Sequence, residues 1–166
     1  VDPVTHRTEY TYDKNGNLVS ATGFDGAVTT YDYDSLNRRT RASFPDGNTR
    51  NWAFAGGRVA TVSDNSGTIT YTYDSDGLIT GIDQSGVGQV AYAYDGAGNR
   101  VSMTTPSGVF SYSYDGLSRL ASVSDPNGRV TSYTYDAAGN LTEAQRPNGI
   151  RTDYTYDVLN RLARLQ

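Results

Sequence analysis

The sequence has no cysteine, one histidine and one lysine among its 166 residues. Without cysteine there can be no disulfide, no thiolate metal site and no cysteine nucleophile. The single histidine, His6, lies near a terminus, and a hydrolytic triad or a zinc site would need more than this one side chain. We therefore predict no catalytic residue, no cofactor and no metal site, in a protein that is not an enzyme.

Long apolar runs and excess positive charge are also lacking. No run approaches the roughly 18 apolar residues of a membrane span. The formal net charge of -4 gives no electrostatic reason to expect nucleic acid as a partner. Glutamate is rare, with 2 residues against 16 aspartates, and aspartate favours turns because its side chain bonds its own backbone.

Tyrosine, by contrast, is abundant, and all 14 tyrosines lie in seven copies of one motif, Tyr-x-Tyr-Asp. An eighth, degenerate copy is Trp52-Ala53-Phe54-Ala55, and the second aromatic recurs at intervals of 19 to 21 residues. Such a fixed period identifies residues 1–166 as a single array of eight repeats. The residues of this structural motif are Tyr10, Tyr12, Asp13, Tyr31, Tyr33, Asp34, Trp52, Phe54, Tyr71, Tyr73, Asp74, Tyr92, Tyr94, Asp95, Tyr112, Tyr114, Asp115, Tyr133, Tyr135, Asp136, Tyr154, Tyr156 and Asp157.

Each motif has the pattern of a β-strand with two different faces. Side chains alternate along a strand, so the two aromatics share one face with the residue two positions before them. That residue is β-branched or aromatic in seven of the eight repeats, while the residue between the aromatics is small or polar. One face therefore carries large rings and the other carries small groups.

Turn residues separate the strands. The Asp after the second Tyr can close an Asx-type turn. Four residues after that Tyr, a tight hairpin needs a residue in the left-handed backbone region. The residues at this position are Gly16, Asn37, Gly77, Gly98, Ser118, Gly139 and Asn160, with Gly56-Gly57 in the third repeat. At the far end of each hairpin, Pro-x-Gly at residues 45–47, 106–108, 126–128 and 147–149 predicts a type I turn with a glycine bulge.

The return strand has an irregular apolar spacing. It should start at Leu18, Arg39, Val59, Ile79, Arg100, Leu120, Leu141 or Leu162, and the next apolar position lies three residues later. A spacing of three does not fit one face of a regular strand, so we predict a β-bulge there.

The predicted fold class is all-β, with tandem antiparallel hairpins of about 21 residues. Eight repeats of two strands give sixteen strands, and a twisted open sheet rarely exceeds about 10 strands without curling. We therefore expect a spiralling sheet, a β-solenoid or an open shell segment. We also expect the chain to be a fragment of a longer array.

Four candidate sites compete with structural explanations. The tyrosines could stack against sugars, but a ladder of packed rings is the favoured interpretation. The Asp-rich turns at residues 13–17 and 74–77 lack the glycine at the sixth position and the bidentate glutamate at the twelfth that an EF-hand loop needs. Paired aspartates for glycoside hydrolysis would fall at turn positions, where capping of the turn is the favoured interpretation. Arg38, Arg39 and Arg41 could bind phosphate, although pairing with Asp32 and Asp34 is favoured.

The motif Tyr-x-Tyr-Asp-x-x-Gly-Asn/Arg-Leu, followed by Pro-Asp/Asn-Gly, resembles the YD repeat of the Rhs family. Residues 112–120 with 126–128, and 133–141 with 147–149, carry the resemblance, which extends over essentially the whole chain. It implies a β-sheet that spirals into a hollow shell, as in bacterial polymorphic toxins, insecticidal toxin complex components and teneurins. The Asp-Pro-x-Gly-Leu motif of self-cleaving shells is absent, because Arg129 follows Asp125-Pro126-Asn127-Gly128.

The resemblance implies a structural wall segment that scaffolds or encapsulates a toxin or effector. The expected partners are the rest of the parent shell, an enclosed toxin domain and further copies bound through edge strands near Glu9–Tyr12 and Leu162–Leu165. The expected location is secreted or on the bacterial cell surface. The alternative is a cell-surface adhesion or carbohydrate-binding module that uses the tyrosine face.

Overall fold

A computed structural model describes residues 7–166, so His6 lies outside the described residues. Every regular element in this range is a β-strand, which confirms the all-β prediction. The strands are β1 (Glu9–Tyr12), β2 (Leu18–Thr22), β3 (Val28–Tyr33), β4 (Arg39–Ser43), β5 (Thr49–Ala55), β6 (Arg58–Asp64), β7 (Gly67–Tyr73), β8 (Ile79–Gln84), β9 (Gly88–Tyr94), β10 (Arg100–Thr105), β11 (Gly108–Tyr114), β12 (Leu120–Ser124), β13 (Val130–Tyr135), β14 (Leu141–Gln145), β15 (Arg151–Tyr156) and β16 (Leu162–Leu165). Among these residues, no helix is long and apolar enough to cross a bilayer.

Within each of two compact units the strands are hydrogen-bonded in chain order. The chain divides into two compact units, Val1–Thr72 with Ile82–Gly88, and Tyr73–Gly81 with Gln89–Gln166. In the first unit β1 to β7 pair antiparallel with their neighbours, and in the second β9 to β16 do so. Antiparallel neighbours need only short turns, which is why a 21-residue repeat can form a complete hairpin.

The predicted bulge is present at the start of the return strand. In the first hairpin Tyr12 pairs with Leu18 and Thr11 pairs with Ser20, so Val19 is the extra residue. The same irregularity occurs in the hairpins that contain β3, β5, β9, β11, β13 and β15. Seven return strands begin at the predicted residue, and β6 begins at Arg58, one residue early. The bulge explains why apolar residues three positions apart can share a face.

The turns also follow the predicted geometry. All seven expected left-handed residues have positive φ, from 57° at Asn160 to 91° at Gly77, and Gly56 and Gly57 do so in the third repeat. At three Pro-x-Gly turns the glycine N–H donates to the residue before the proline, as in the bond from Gly128 to Asp125. The fourth differs, because Thr105 pairs directly with Gly108 and leaves a two-residue loop. The prediction of a glycine bulge is therefore wrong at Pro106-Ser107-Gly108.

The two faces of the sheet differ in burial. From the second repeat onward both aromatics of each motif are half-buried, while the residue between them is exposed. We call the side that bears these aromatics the tyrosine face. Across the other face, small hydroxyl side chains pair between strands, as in Ser113 with Ser122 (2.7 Å) and Thr134 with Thr142 (3.1 Å).

Candidate functional site: the tyrosine face

The tyrosine face is a lateral row of rings and apolar side chains. In seven hairpins the first aromatic lies opposite the apolar residue that follows the bulge, as in the pairs Tyr31–Ala42 and Tyr133–Ala144. These two alanines are the buried hydrophobic residues of the described chain, with exposed fractions of 2% and 6%. A small side chain opposite a ring is covered by that ring, whereas the rings themselves stay half-exposed because no second layer lies on them within the described residues.

In four repeats the second tyrosine donates a hydrogen bond to the preceding repeat. Its hydroxyl reaches the backbone carbonyl of the first residue in the preceding return strand. The pairs are Tyr33 with Leu18 (2.9 Å), Tyr94 with Ile79 (2.9 Å), Tyr114 with Arg100 (3.0 Å) and Tyr135 with Leu120 (2.9 Å). Each bond joins neighbouring repeats, so these tyrosines hold the array together with a polar contact as well as with ring area.

The Asp of the motif organises the turn that follows it. One carboxylate oxygen of Asp34 accepts the backbone N–H groups of Leu36 and Arg38, at 2.9 and 3.0 Å. The other oxygen accepts from Arg38 Nε at 2.8 Å, and a second guanidinium nitrogen lies 2.7 Å away. In the first repeat Asn17 takes the place of arginine and donates its side-chain amide to Asp13 at 2.9 Å. The expected Asx-type turn is therefore confirmed at these aspartates.

These hydrogen bonds favour the ionised carboxylate. The side-chain bond from Asn17 is the main cause that lowers the pKa of Asp13, and the side-chain bond from Arg38 lowers that of Asp34. The backbone N–H of Arg119 is the main cause of the lowered pKa of Asp115. The shifted groups are turn caps whose acceptor atoms are already occupied, so their pKa shifts reflect turn structure.

The predicted arginine cluster separates into three environments. Arg38 pairs with Asp34 inside the turn, and Arg41 lies directly opposite Asp32 on the neighbouring strand. Arg39 instead lies on the tyrosine face, with its guanidinium carbon 4.4 Å from the ring centre of Tyr31. Charge pairing, the favoured interpretation, therefore holds for Arg38, whereas Arg41 shares only its cross-strand position with Asp32. The structure does not bring the three arginines together as one phosphate site.

The aspartates of the turns bond within their own turns. Among residues 7–166, no three side chains of His, Asp or Glu gather where they could hold a metal ion. The loop from Asp13 to Asn17 uses its carboxylate for its own backbone and for Asn17, which leaves a turn instead of an ion cage. A concavity of about 430 Å³ in the second unit is bordered by Phe110, Val123 and Pro147 together with charged residues such as Asp125 and Arg129.

Two protein-family models match the chain. The model described as Teneurin YD-shell matches residues 3–131, and the model described as RHS Repeat matches residues 114–151. No curated protein matches the chain in sequence.

Solved structures share the fold. The chain is 20% identical to a chain of the crystal structure of TcdB2-TccC3 without its hypervariable C-terminal region, with a TM-score of 0.76. That alignment covers 94% of this chain and 10% of the other. Two further matches are TcdB2-TccC3-TEV (18% identity, TM-score 0.49) and the Photorhabdus luminescens Tc holotoxin pore (17%, TM-score 0.47), each covering the same 94% and 10%. The chain thus spans about a tenth of the length of the structures it matches.

Proposed function

This chain belongs to the Teneurin YD-shell family, and from that membership we propose that it is a wall segment of a protein shell that scaffolds or encloses a toxin or another effector domain. The coarser part of this statement, a structural YD-shell segment, follows from the family and from the shared fold. The enclosure of a toxin or effector is the proposed part.

The uncovered tyrosine face is the observation that carries the proposal. From the second repeat onward the aromatics of each motif are only half-buried within the described residues. Among the described residues, Ala42 and Ala144 are the buried hydrophobics. A sheet with one apolar, ring-bearing face is stabilised by something that covers it. In a shell, the contents or another part of the wall would supply that cover.

The repeat contacts suit a continuous wall. The hydroxyl of Tyr114 on the carbonyl of Arg100, and the amide of Asn140 on the side chain of Asn160, each join one repeat to the next. Because every unit depends on its neighbours, such a sheet can be extended without a change of architecture. We propose that residues 1–166 act as a single array within a longer spiral, and that the motif tyrosines and aspartates have a structural, non-catalytic role.

Partners and location follow from the same proposal. The partners would be the rest of the parent shell, an enclosed toxin domain and, through β1 and β16, further copies of the chain. All residues of these two strands are exposed. We propose a secreted or cell-surface location in a bacterium, as the resemblance to Rhs and YD-shell repeats implies.

Hydroxyl-radical footprinting tests whether the tyrosine face is covered in the intact protein. The measurement compares tyrosine modification in the 166-residue chain with that in the protein as isolated from its source. We expect Tyr112 and Tyr133 to be several-fold less reactive in the intact protein, while Leu117, which is 73% exposed at a turn, serves as the unprotected control. Equal reactivity of the rings in both samples would contradict a wall that covers this face.

The second candidate function is carbohydrate binding on the same face. The concavity next to Phe110 favours it, because its volume of about 430 Å³ lies within the usual range for small-molecule sites. Against it, guanidinium groups already lie on several rings, such as Arg119 on Tyr135 at 4.6 Å and Arg38 on Phe54 at 4.2 Å. Glycan arrays distinguish the two functions, since a wall segment should show no saturable binding.

A further inference from the structure

Two repeats carry an arginine where the others carry an aliphatic residue. At the first predicted position of the return strand, six repeats have Leu, Val or Ile, and the exceptions are Arg39 and Arg100. The guanidinium carbon of Arg100 lies 4.6 Å from the ring centre of Tyr112 and 5.7 Å from that of Tyr92. Arg39 lies against Tyr31 in the same manner, at 4.4 Å. The same substitution therefore places a cation on the tyrosine face twice.

Neither arginine has a carboxylate partner. The salt bridges of the described residues involve other arginines, and Nε of Arg100 is the one buried side-chain polar atom without a hydrogen-bond partner among them. The acids of the two adjacent turns are already occupied, because Asp95 accepts from Asn99 and Asp115 from Arg119. Since a guanidinium does not lose its proton at neutral pH, Arg100 keeps an unpaired charge.

The stacked geometry leaves the guanidinium able to bind a ligand. The guanidinium carbon of Arg100 lies over the rings of Tyr112 and Tyr92, and the N–H donors of a guanidinium lie in its own plane. Within the Arg100 guanidinium, Nε alone is buried without a hydrogen-bond partner, and the two terminal nitrogens are not. A carboxylate matches this pair of donors with two parallel charge-assisted hydrogen bonds. An aliphatic residue at this position, as in the other repeats, would avoid the unsatisfied Nε, so packing alone does not favour arginine here.

We propose that Arg100, held by Tyr92 and Tyr112, binds a carboxylate of an acidic polypeptide segment that lies across the tyrosine face. Charge complementarity selects this partner, because the neighbouring acids of the chain are already bonded and the free charge at this position is positive. Arg39, whose side chain is exposed, places a second cation on this face beside Tyr31. The inference rests on the proposed function in one respect, that a polypeptide covers this face.

Titration with an acidic peptide tests the proposal. The probe is acetylated, amidated hexaglutamate, the neutral control is hexaglutamine, and the readout is the ¹⁵Nε signal of the arginines in the full chain. We expect saturable binding of hexaglutamate that is about tenfold weaker in Arg100→Leu, because charge-assisted bonds are lost. Arg164→Leu, on exposed β16 opposite Thr155, is the matched control and should bind as the wild type does. The net charge of -4 opposes non-specific binding of the acidic probe.

Stability measurements separate binding from packing. We expect the melting midpoint of Arg100→Leu to be no lower than that of the wild type, since leucine occupies the equivalent position in other repeats. If Arg100→Leu does not fold, Arg100→Gln replaces it in the titration, because glutamine keeps hydrogen-bonding groups without the charge. Equal affinity in the wild type and the Arg100 variant, no binding by the wild type, or an equal loss in Arg164→Leu would each overturn the proposal. Displacement of the peptide by inorganic phosphate at a lower concentration would overturn the assignment to a carboxylate.

Failure of this proposal is distinguishable from failure of the wall function. Peptide binding reports on Arg100 in the isolated chain, whereas footprinting reports on cover in the intact protein. Protected rings without peptide binding would refute the carboxylate site and leave the wall function standing. Peptide binding with unprotected rings would refute the covered wall.

Discussion

Replacing Gly139 with valine tests the turn geometry of the repeat. Gly139 has a φ of 90°, and a Cβ added there would meet no heavy atom within 4 Å. The substitution therefore creates backbone strain without a steric clash against neighbouring residues. A non-glycine residue in this region costs on the order of 1–3 kcal/mol, and a β-branched residue belongs to the upper part of that range.

The restricted unfolded chain offsets part of this strain. Removing a glycine lowers the entropy of the unfolded state and contributes about 0.4–1 kcal/mol of stability. The net destabilisation expected for Gly139→Val is therefore about 1 kcal/mol or more. For a chain of this size, 1 kcal/mol corresponds to a fall of about 2–4 °C in the melting midpoint.

Circular dichroism melts of four proteins provide the measurement. The wild type and Gly139→Val are compared with Gly139→Asn, because Asn37 and Asn160 occupy the equivalent position at φ values of 59° and 57°. Gly96→Val is the matched control, since Gly96 lies in an equivalent turn, has no positive φ and has open space around it. We expect valine to lower the midpoint at Gly139 more than asparagine does, and to have little effect at position 96. Equal midpoints for the two Gly139 variants would refute the left-handed turn.

Four further predictions address other contacts of the repeat. Tyr114→Phe removes the hydroxyl that bonds the carbonyl of Arg100, and it should lower the free energy of unfolding in urea by about 0.5–1.5 kcal/mol. Tyr112→Phe should lower it less, and the reverse order would contradict the assigned roles. The native pKa values of Asp13, Asp34 and Asp136 lie below their unfolded values. These groups therefore contribute stability above about pH 4, and this contribution is lost as the pH falls through the native pKa. An unfolding midpoint that is constant between about pH 5 and pH 2 would contradict this. Glycan arrays should show no saturable binding, and binding at sub-millimolar ligand that is lost on mutation of one tyrosine pair would favour the carbohydrate-binding alternative. Light scattering should show association as concentration rises, because β1 and β16 are exposed along their whole length; a strict monomer at high concentration would contradict self-association through these strands.

The candidate site could be located from the sequence, but its individual contacts could not. The period of the tyrosines identifies one ring-bearing face, and the structure confirms two different faces. Sequence proximity grouped Arg38, Arg39 and Arg41, which the structure separates because the bulge changes the alternation of side chains between the faces. Arg100 is predicted only as the start of a return strand and lies outside the candidate sites. The signal in the sequence that could have identified it is the arginine at a repeat position where six other repeats have Leu, Val or Ile.

The sequence by itself determined the strands, the turns and the bulges, because each depends on local backbone chemistry. Glycine and asparagine mark positive φ, aspartate closes the turn two to four residues away, and a spacing of three reveals the extra residue in the return strand. Only the tertiary structure decided that the hydroxyl of Tyr114 reaches the carbonyl of Arg100, that Arg100 lies on rings without a carboxylate, and that Thr105 pairs directly with Gly108. These contacts depend on the register between strands and on which side chains remain uncovered, and a periodic sequence does not specify either one residue by residue.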